Sequence, residues 1–239
     1  HTYTGYPLVK EARAMVKAGK IGKVRKVFVE YPQGWLSTFL EGGEHKQASW
    51  RTDPARSGAG GAIGDIGTHA ANLAEYITGS DITEICAQLN IVVKGRKLDD
   101  DSSMLIRFEN GASGILMATQ VAAGEENNLN IRVYGEKGGL SWRQEEPNTL
   151  EVKWLDKPKE VIRTGWGYLG DEAKRSTRTP SGHPEGYLEA FANLYRNFAR
   201  AVSEYKPGKK VDPAKYDFPD VSDGVRGMAF VESVVKSSK

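Results

Sequence analysis

The sequence predicts an α+β domain: a large, mostly antiparallel open β-sheet with helices packed on one face. Between residues 82 and 163, extended apolar and β-branched segments follow one another across short turns, the pattern of a strand meander rather than of βαβ repeats. Within that block Asn110-Gly111 separates the runs 104–108 and 115–121, and Asn-Gly in that position marks an antiparallel hairpin. Amphipathic helical stretches lie on either side of the block, too few to cover both faces of so wide a sheet.

Pro7 opens a short helix with Leu8, Ala12, Met15 and Val16 along one side and Gly19 at its end. Residues 1–22 thus read as a connector from something upstream, and residues 23–239 as the domain proper. Residues 23–31 alternate, Val24, Lys26, Phe28 and Glu30 against Arg25, Val27, Val29 and Tyr31, until Pro32 closes the strand. Residues 34–58 form an irregular segment carrying Trp35, Trp50, Arg51 and Arg56, and a loop that long inside a compact domain is usually functional. From Ala62 to Thr78 the apolar residues Ile63, Ile66, Ala70, Leu73 and Ile77 recur at helical steps, and Gly79 is a natural stop. Strands follow at 82–94, 102–108, 115–121, 130–134, 140–142, 149–155 and 160–163. After a polar, glycine-rich loop, a helix over 185–204 carries the stripe Leu188, Phe191, Leu194, Tyr195 and Phe198, expected to be buried. A last helix over 223–235 turns Val225, Met228, Val231 and Val235 inward.

Composition narrows the functional classes. With 39% hydrophobic residues in 239, the chain is long enough to bury a sizeable core. Lys and Arg outnumber Asp and Glu by only 33 to 31, so no strong field draws nucleic acid or an anionic membrane. No apolar run reaches the length of a transmembrane helix. The single cysteine, Cys86, lies in an apolar run and reads as a small buried hydrophobe. A cytoplasmic location is expected; because the chain begins at His1, an upstream targeting signal would not be visible.

The chemistry concentrates in residues 60–69, which bring glycines, a carboxylate and an imidazole together. Residues four apart on a helix lie one above the other, so Asp65 and His69 share a face that Asn72 and Tyr76 continue. A carboxylate one turn away would orient the imidazole and raise its pKa, which suits a general base acting on a hydroxyl. The same two residues could instead ligate a metal with His183 or His45, although no ligand spacing such as H-E-x-x-H supports this. Gly58 to Gly64 superficially matches a dinucleotide-binding G-x-G-x-x-G, but its sixth position is Ile63 and no strand precedes it. Gly60 and Gly61 are expected instead to let the backbone approach an oxygen-rich ligand at the helix N-terminus.

Gly60-Gly61 with Asp65 and His69 resembles the central motif of the Gfo/Idh/MocA oxidoreductases. Gly19 to Val24, Gly182 to Tyr187 and Asp223-Gly224 are similar to further segments of that family. The resemblance implies a C-terminal domain that supplies substrate and oligomer contacts, while an N-terminal Rossmann domain binds NAD or NADP. It implies His69 and Asp65 as catalytic residues and a carbohydrate or polyol substrate. The family's dinucleotide glycines and its Glu-Lys-Pro motif have no counterpart here; Asp156-Lys157-Pro158 is a decoy between two late strands. The isolated chain is therefore expected to be catalytically incomplete. Gln33, Trp35, Trp50, Arg51 and His183 are candidates for the substrate wall, since sugars stack C–H faces on indoles and need polar partners for their hydroxyls. A non-catalytic binding or assembly domain on the same scaffold is the alternative, and a metal-dependent hydrolase the third.

The hairpin strands place Met104, Ile106 and Phe108 on one side and Leu105 on the other, and split Ile115, Met117 and Val121 from Leu116 and Ala118. Both faces are apolar, so a sheet-on-sheet homodimer, or a homotetramer, is expected unless Arg107 and Gln120 keep the open face wet.

Overall fold

The computed structural model describes residues 1–208, 211 and 213–239. After a 3₁₀ turn (Thr2–Gly5) come helix α1 (Pro7–Lys17), strand β1 (Val24–Pro32), short helices α2 (Lys46–Arg51) and α3 (Pro54–Ser57), a π-helical turn (Ile63–Gly67) and helix α4 (Thr68–Thr78). Strands β2 (Ile82–Asn90), β3 (Asp101–Phe108), β4 (Ser113–Thr119), β5 (Asn130–Gly135), β6 (Gly138–Arg143), β7 (Thr149–Trp154) and β8 (Glu160–Arg163) follow. The chain ends in α5 (Asp171–Ser176), α6 (Tyr187–Glu204), α7 (Pro213–Tyr216) and α8 (Val221–Ser237). The helices begin and end where local chemistry dictates: Pro7 opens α1, Gly79 closes α4 in the left-handed region, and Asp220 with Asp223 forms a capping box for α8.

The eight strands lie in the order β2-β3-β4-β1-β5-β6-β7-β8, antiparallel throughout except where β1 pairs parallel with β4. A simple meander does not account for this. The first strand is inserted between β4 and β5, a long-range pairing that local pattern cannot reveal. The Asn110-Gly111 hairpin forms as expected: Gly111 takes the positive φ, and the Phe108 N–H donates to the Ala112 carbonyl at 2.9 Å.

One sheet face is covered. Val27 and Val29, Met104 and Ile106, Leu116 and Ala118, Ile131 and Val133, and Leu140 and Trp142 point into a core completed by α1, α4 and α8. The other face carries Phe28, Leu105, Ile115, Met117 and Tyr134, with Leu105 59% exposed. Cys86 is opposite Leu105 on this uncovered face and is exposed, not buried, because an alternating edge strand turns it outward. Arg107 is exposed beside Glu84, whereas Gln120 is buried and belongs to the cleft described below. The β2 edge is blunted by the end of α8: the Ser237 and Ser238 hydroxyls accept the N–H groups of Ala87 and Leu89 at 3.1 and 2.8 Å.

The helical stripes depart most from expectation. α6 packs Ala190, Asn193, Asn197 and Ala201 inward against the N-terminal turn, so closely that a methyl group on Gly5 would lie 2.2 Å from the Ala190 carbonyl oxygen. Its apolar side faces outward, with Leu188 75% and Tyr195 67% exposed. On α8, Val231 is buried as expected and is joined by Phe230 and Val234, while Val225 and Met228 are exposed. A buried charge cluster ties α1 to the approach of α8: Lys10 pairs with Asp217, Arg13 donates to the same carboxylate at 2.9 Å, and the Tyr76 hydroxyl donates to it at 2.9 Å. The Tyr76 hydroxyl is thus engaged in this cluster, two turns along α4 from His69.

Candidate active site

The topology brings several strand ends to one side of the molecule. β1 and β4 are parallel and finish together, β5 runs antiparallel to β1 and so starts there, and β6 ends beside that start. Tyr31 and Gln33 at the end of β1, Asn127 before β5 and Gln144 after β6 consequently converge with Tyr3, Trp35, Arg51, Asp65, His69 and Tyr187 around a cleft of about 710 Å³. The long loop is held over it by Arg96, whose guanidinium donates to Glu41 at 2.8 Å, Asp100 at 3.0 Å and the carbonyls of Leu36 and Thr38 at 2.9 and 3.0 Å.

A continuous polar network lines the cleft. The Asn127 Oδ1 accepts from the Tyr31 hydroxyl and from Gln33 Nε2, each at 2.7 Å; Gln33 Oε1 in turn accepts from Trp35 Nε1 at 3.1 Å and Gln120 Nε2 at 3.3 Å. Gln120 also donates to Asp65 Oδ2 at 2.8 Å, and Arg51 Nε reaches the same oxygen at 3.2 Å. Tyr3 and Tyr31 share a hydrogen bond, and burial, as the largest cause, pushes both phenols above their ordinary value, so both are neutral hydroxyls at physiological pH.

His69 stands beside this network rather than in it. Its ring meets those of His1, Tyr3 and Tyr31 edge to face at 5.4, 5.3 and 6.4 Å, and its Nδ1 is buried without a partner among the described residues, which leaves Nε2 to meet the cleft. The expected orienting contact from Asp65 does not form, because that carboxylate is occupied by Arg51 and Gln120. The π-helical turn is the physical reason: its wider winding removes Asp65 from the register in which i and i+4 superpose. The His69 pKa moves opposite to expectation, down to about 4, mainly through burial. The imidazole is therefore neutral throughout the physiological range, with a free acceptor lone pair but as a weaker base than an ordinary histidine.

A stability prediction follows. In native protein the group protonates only near 4, whereas in unfolded chain it protonates near 6.5, so unfolded chain binds more protons between these values and stability rises with pH there. This contribution is fully present above about pH 6.5 and lost as pH falls toward 4, on the order of 2–3 kcal/mol. Chemical denaturation at pH 7 and pH 4.5 should show His69→Gln losing less stability on acidification than the parent chain; equal losses would contradict the assignment.

The remaining candidates divide. Gln33, Trp35 and Arg51 line the cleft; Trp50 does not, its ring lying under the Arg51 guanidinium at 4.4 Å. His183 lies in a separate depression with Trp166 and Arg163. Gly61 does not present a free N–H group to a ligand. Gly61 and Ile63 donate to the buried Asp99 carboxylate at 2.6 and 2.7 Å, and Ala62 to its carbonyl at 2.8 Å. A methyl group on Gly61 would sit 2.1 Å from that carbonyl oxygen, so the glycine serves close packing of the chain on itself. Of the residues of the metal alternative, His183 lies elsewhere, whereas His45 lines the same cleft as Asp65 and His69 with its Nδ1 accepting the Ala48 N–H; no three His, Cys, Asp or Glu side chains gather as metal ligands among the described residues.

Comparison with known proteins settles the lineage. Residues 9–141, over half of the chain, match the GFO/IDH/MocA C-terminal domain. The chain belongs to this family. It is 30% identical over 240 residues to an uncharacterized oxidoreductase, YfiI, of Bacillus subtilis, covering 99% of this chain and 61% of the relative. The crystal structure of an inositol dehydrogenase homolog from Azotobacter vinelandii complexed with NAD+ superposes with a TM-score of 0.94 at 35% identity, covering 99% of this chain and 61% of the other. A levoglucosan dehydrogenase from Pseudarthrobacter phenanthrenivorans is 26% identical, with 99% of this chain and 64% of the relative covered. The chain thus spans less than two thirds of the length of these relatives.

Proposed function

We propose that the chain is the substrate-binding and oligomerisation half of an NAD- or NADP-dependent dehydrogenase that oxidises a hydroxyl of a sugar, inositol or related polyol. The carrying observation is a neutral imidazole, His69, at the edge of a cleft whose other groups are amides, phenols, an indole and a guanidinium. These recognise hydroxyls and ring C–H faces, and family membership supplies the redox class. Relatives crystallised with NADH and myo-inositol, or with NADH and levoglucosan, support the same reading.

His69 Nε2 takes the proton of the substrate hydroxyl as the carbon is oxidised. Asp65 acts indirectly, holding Arg51 and Gln120 in the wall where they hydrogen-bond substrate oxygens. A dinucleotide bound beside the cleft would supply the hydride acceptor. The start of the helical segment that carries His69 does not fit its pyrophosphate, since the Asp99 carboxylate occupies the N–H groups of Gly61 and Ile63 and would repel an anion there, so dinucleotide binding is assigned to the portion of the relatives outside the matched stretch. Residues 1–22 serve as the connector to it, and the outward stripe of α6 as the surface it covers. The isolated chain should then be inactive. Nicotinamide reduction by the complete enzyme against a panel of inositols and sugars tests this reading; no reduction with any polyol would sink it.

The open sheet face is assigned to self-association. Phe28, Leu105, Ile115, Met117 and Tyr134 form an apolar patch that pairs naturally with its own copy about a two-fold axis. Sedimentation should report a dimer or tetramer, reduced to monomer by the double substitution Leu105→Lys and Ile115→Lys. A parent chain that is monomeric at high micromolar concentration would contradict the assignment.

A further inference from the structure

The cleft beside His69 does not end at its own wall. Asn127, Gln144 and Tyr187 line it and also line an adjoining depression of about 790 Å³ that passes along Glu145, Glu146 and Thr149. Asn148, Arg163 and Pro184 then join that depression to a third, of about 460 Å³, containing Thr164, Trp166, Ser181 and His183. The shared residues make one trough running from the imidazole to an exposed tryptophan.

We propose that this trough holds a second, uncharged sugar ring, so that the enzyme's substrates are glycosides or disaccharides. The inference rests on the reading of the His69 cleft as a sugar or polyol site and specifies the substrate class there. Trp166 is 51% exposed and lies nearly parallel to the Tyr168 ring, at 6° and 6.1 Å between centroids. Neither ring is needed by the core, and an apolar platform of this kind suits the C–H face of a pyranose. Tyr168 is fixed on the strand edge by the Arg163 N–H, which donates to its hydroxyl at 3.1 Å.

Polar groups surround the platform. The side chains of Ser181 and His183 make no hydrogen bond among the described residues, and the Arg163 guanidinium uses one nitrogen on Thr149. Thr164 Oγ1 and Glu185 Oε2 are buried in the trough walls without a protein partner. The loop carrying these groups is held in place: Glu185 Oε1 accepts the N–H groups of Arg178 and Thr179 at 2.5 and 2.6 Å, and Asn148 bonds the Glu185 carbonyl and N–H at 2.8 and 3.2 Å. Charge restricts the occupant. Glu126, Glu145, Glu146 and Glu185 line the middle of the trough with Arg163, and Arg143 reaches Glu145 at 3.5 Å, an excess of acid that disfavours a phosphorylated or carboxylated ring.

Steady-state kinetics of the complete enzyme with paired probes tests this: glucose against cellobiose, and myo-inositol against galactinol. In at least one pair the two-ring probe should have the higher kcat/KM by roughly five- to tenfold, the scale of one good aromatic contact. Trp166→Ala should erase that gain, mainly through KM, without changing one-ring turnover, and Trp166→Phe should restore most of it. Equal use of one-ring and two-ring probes, or a gain that survives Trp166→Ala, overturns the second-ring site and leaves the His69 reading standing. Failure of a folded, dinucleotide-binding enzyme to oxidise any of the four overturns both.

Discussion

Replacing His69 by alanine in the complete enzyme is expected to lower kcat roughly 10²- to 10⁴-fold, the usual contribution of a positioned general base. The cleft explains why the effect falls on catalysis and not on binding. The groups proposed to recognise hydroxyls, Gln33, Asn127, Tyr31 and Gln120, bond to one another and not to the imidazole, so they keep their geometry when it is removed. In the parent enzyme the acid limb of kcat/KM should follow the depressed imidazole toward pH 4, with activity present above it and lost as the ring protonates. Unchanged turnover in His69→Ala would remove the proposed role.

The largest stability effect is expected from Gly61→Ala. A methyl group there meets a backbone oxygen, Asp99 O, at 2.1 Å, and backbone cannot rotate away as a side chain would. Relief requires moving the 60–63 segment off Asp99, which weakens the hydrogen bonds from Gly61, Ala62 and Ile63. A loss of about 3 kcal/mol or more, read as a fall in Tm of roughly 6–12 °C, should result. By contrast Gly64→Ala, where nothing lies near the added carbon, should change Tm little. Equal effects of the two substitutions would contradict the close-packing account of Gly61.

Sequence periodicity identified α1, α4 and most strands because each is a local pattern with clear stops, such as Pro7, Gly79 and Gly111. The same periodicity located the apolar stripe of α6 but could not say which side the protein buries. There, small residues and asparagines make the intramolecular contact, and the large apolar residues face out. The place of β1 between β4 and β5 was invisible for a different reason: it is set by pairing across about ninety residues, measured from Val29 to its partner Leu116.

The site was legible in part for the same reasons. His69, Asp65, Gln33, Trp35 and Arg51 sit on or beside recognisable elements, and the structure gathers them in one cleft. Tyr3, Tyr31, Asn127 and Gln144 went unnoticed as site residues, and Gln120 was placed on the open sheet face, because only the β1–β4–β5 arrangement assembles them. The position of Tyr31 at the very end of an alternating strand was the one local hint. The π-helical turn has no sequence signature beyond two glycines around Asp65, yet it decides that Asp65 serves Arg51 and Gln120 instead of His69.

The central claim is that His69 receives the substrate proton, and a crystal structure of the complete enzyme with its dinucleotide and a bound polyol tests it most directly. The account predicts the reacting hydroxyl within hydrogen-bond reach of His69 Nε2, about 2.6–3.2 Å, with the neighbouring hydroxyls on the Gln33, Asn127 and Arg51 wall. A polyol bound productively against the nicotinamide with His69 out of reach of every substrate oxygen would contradict it.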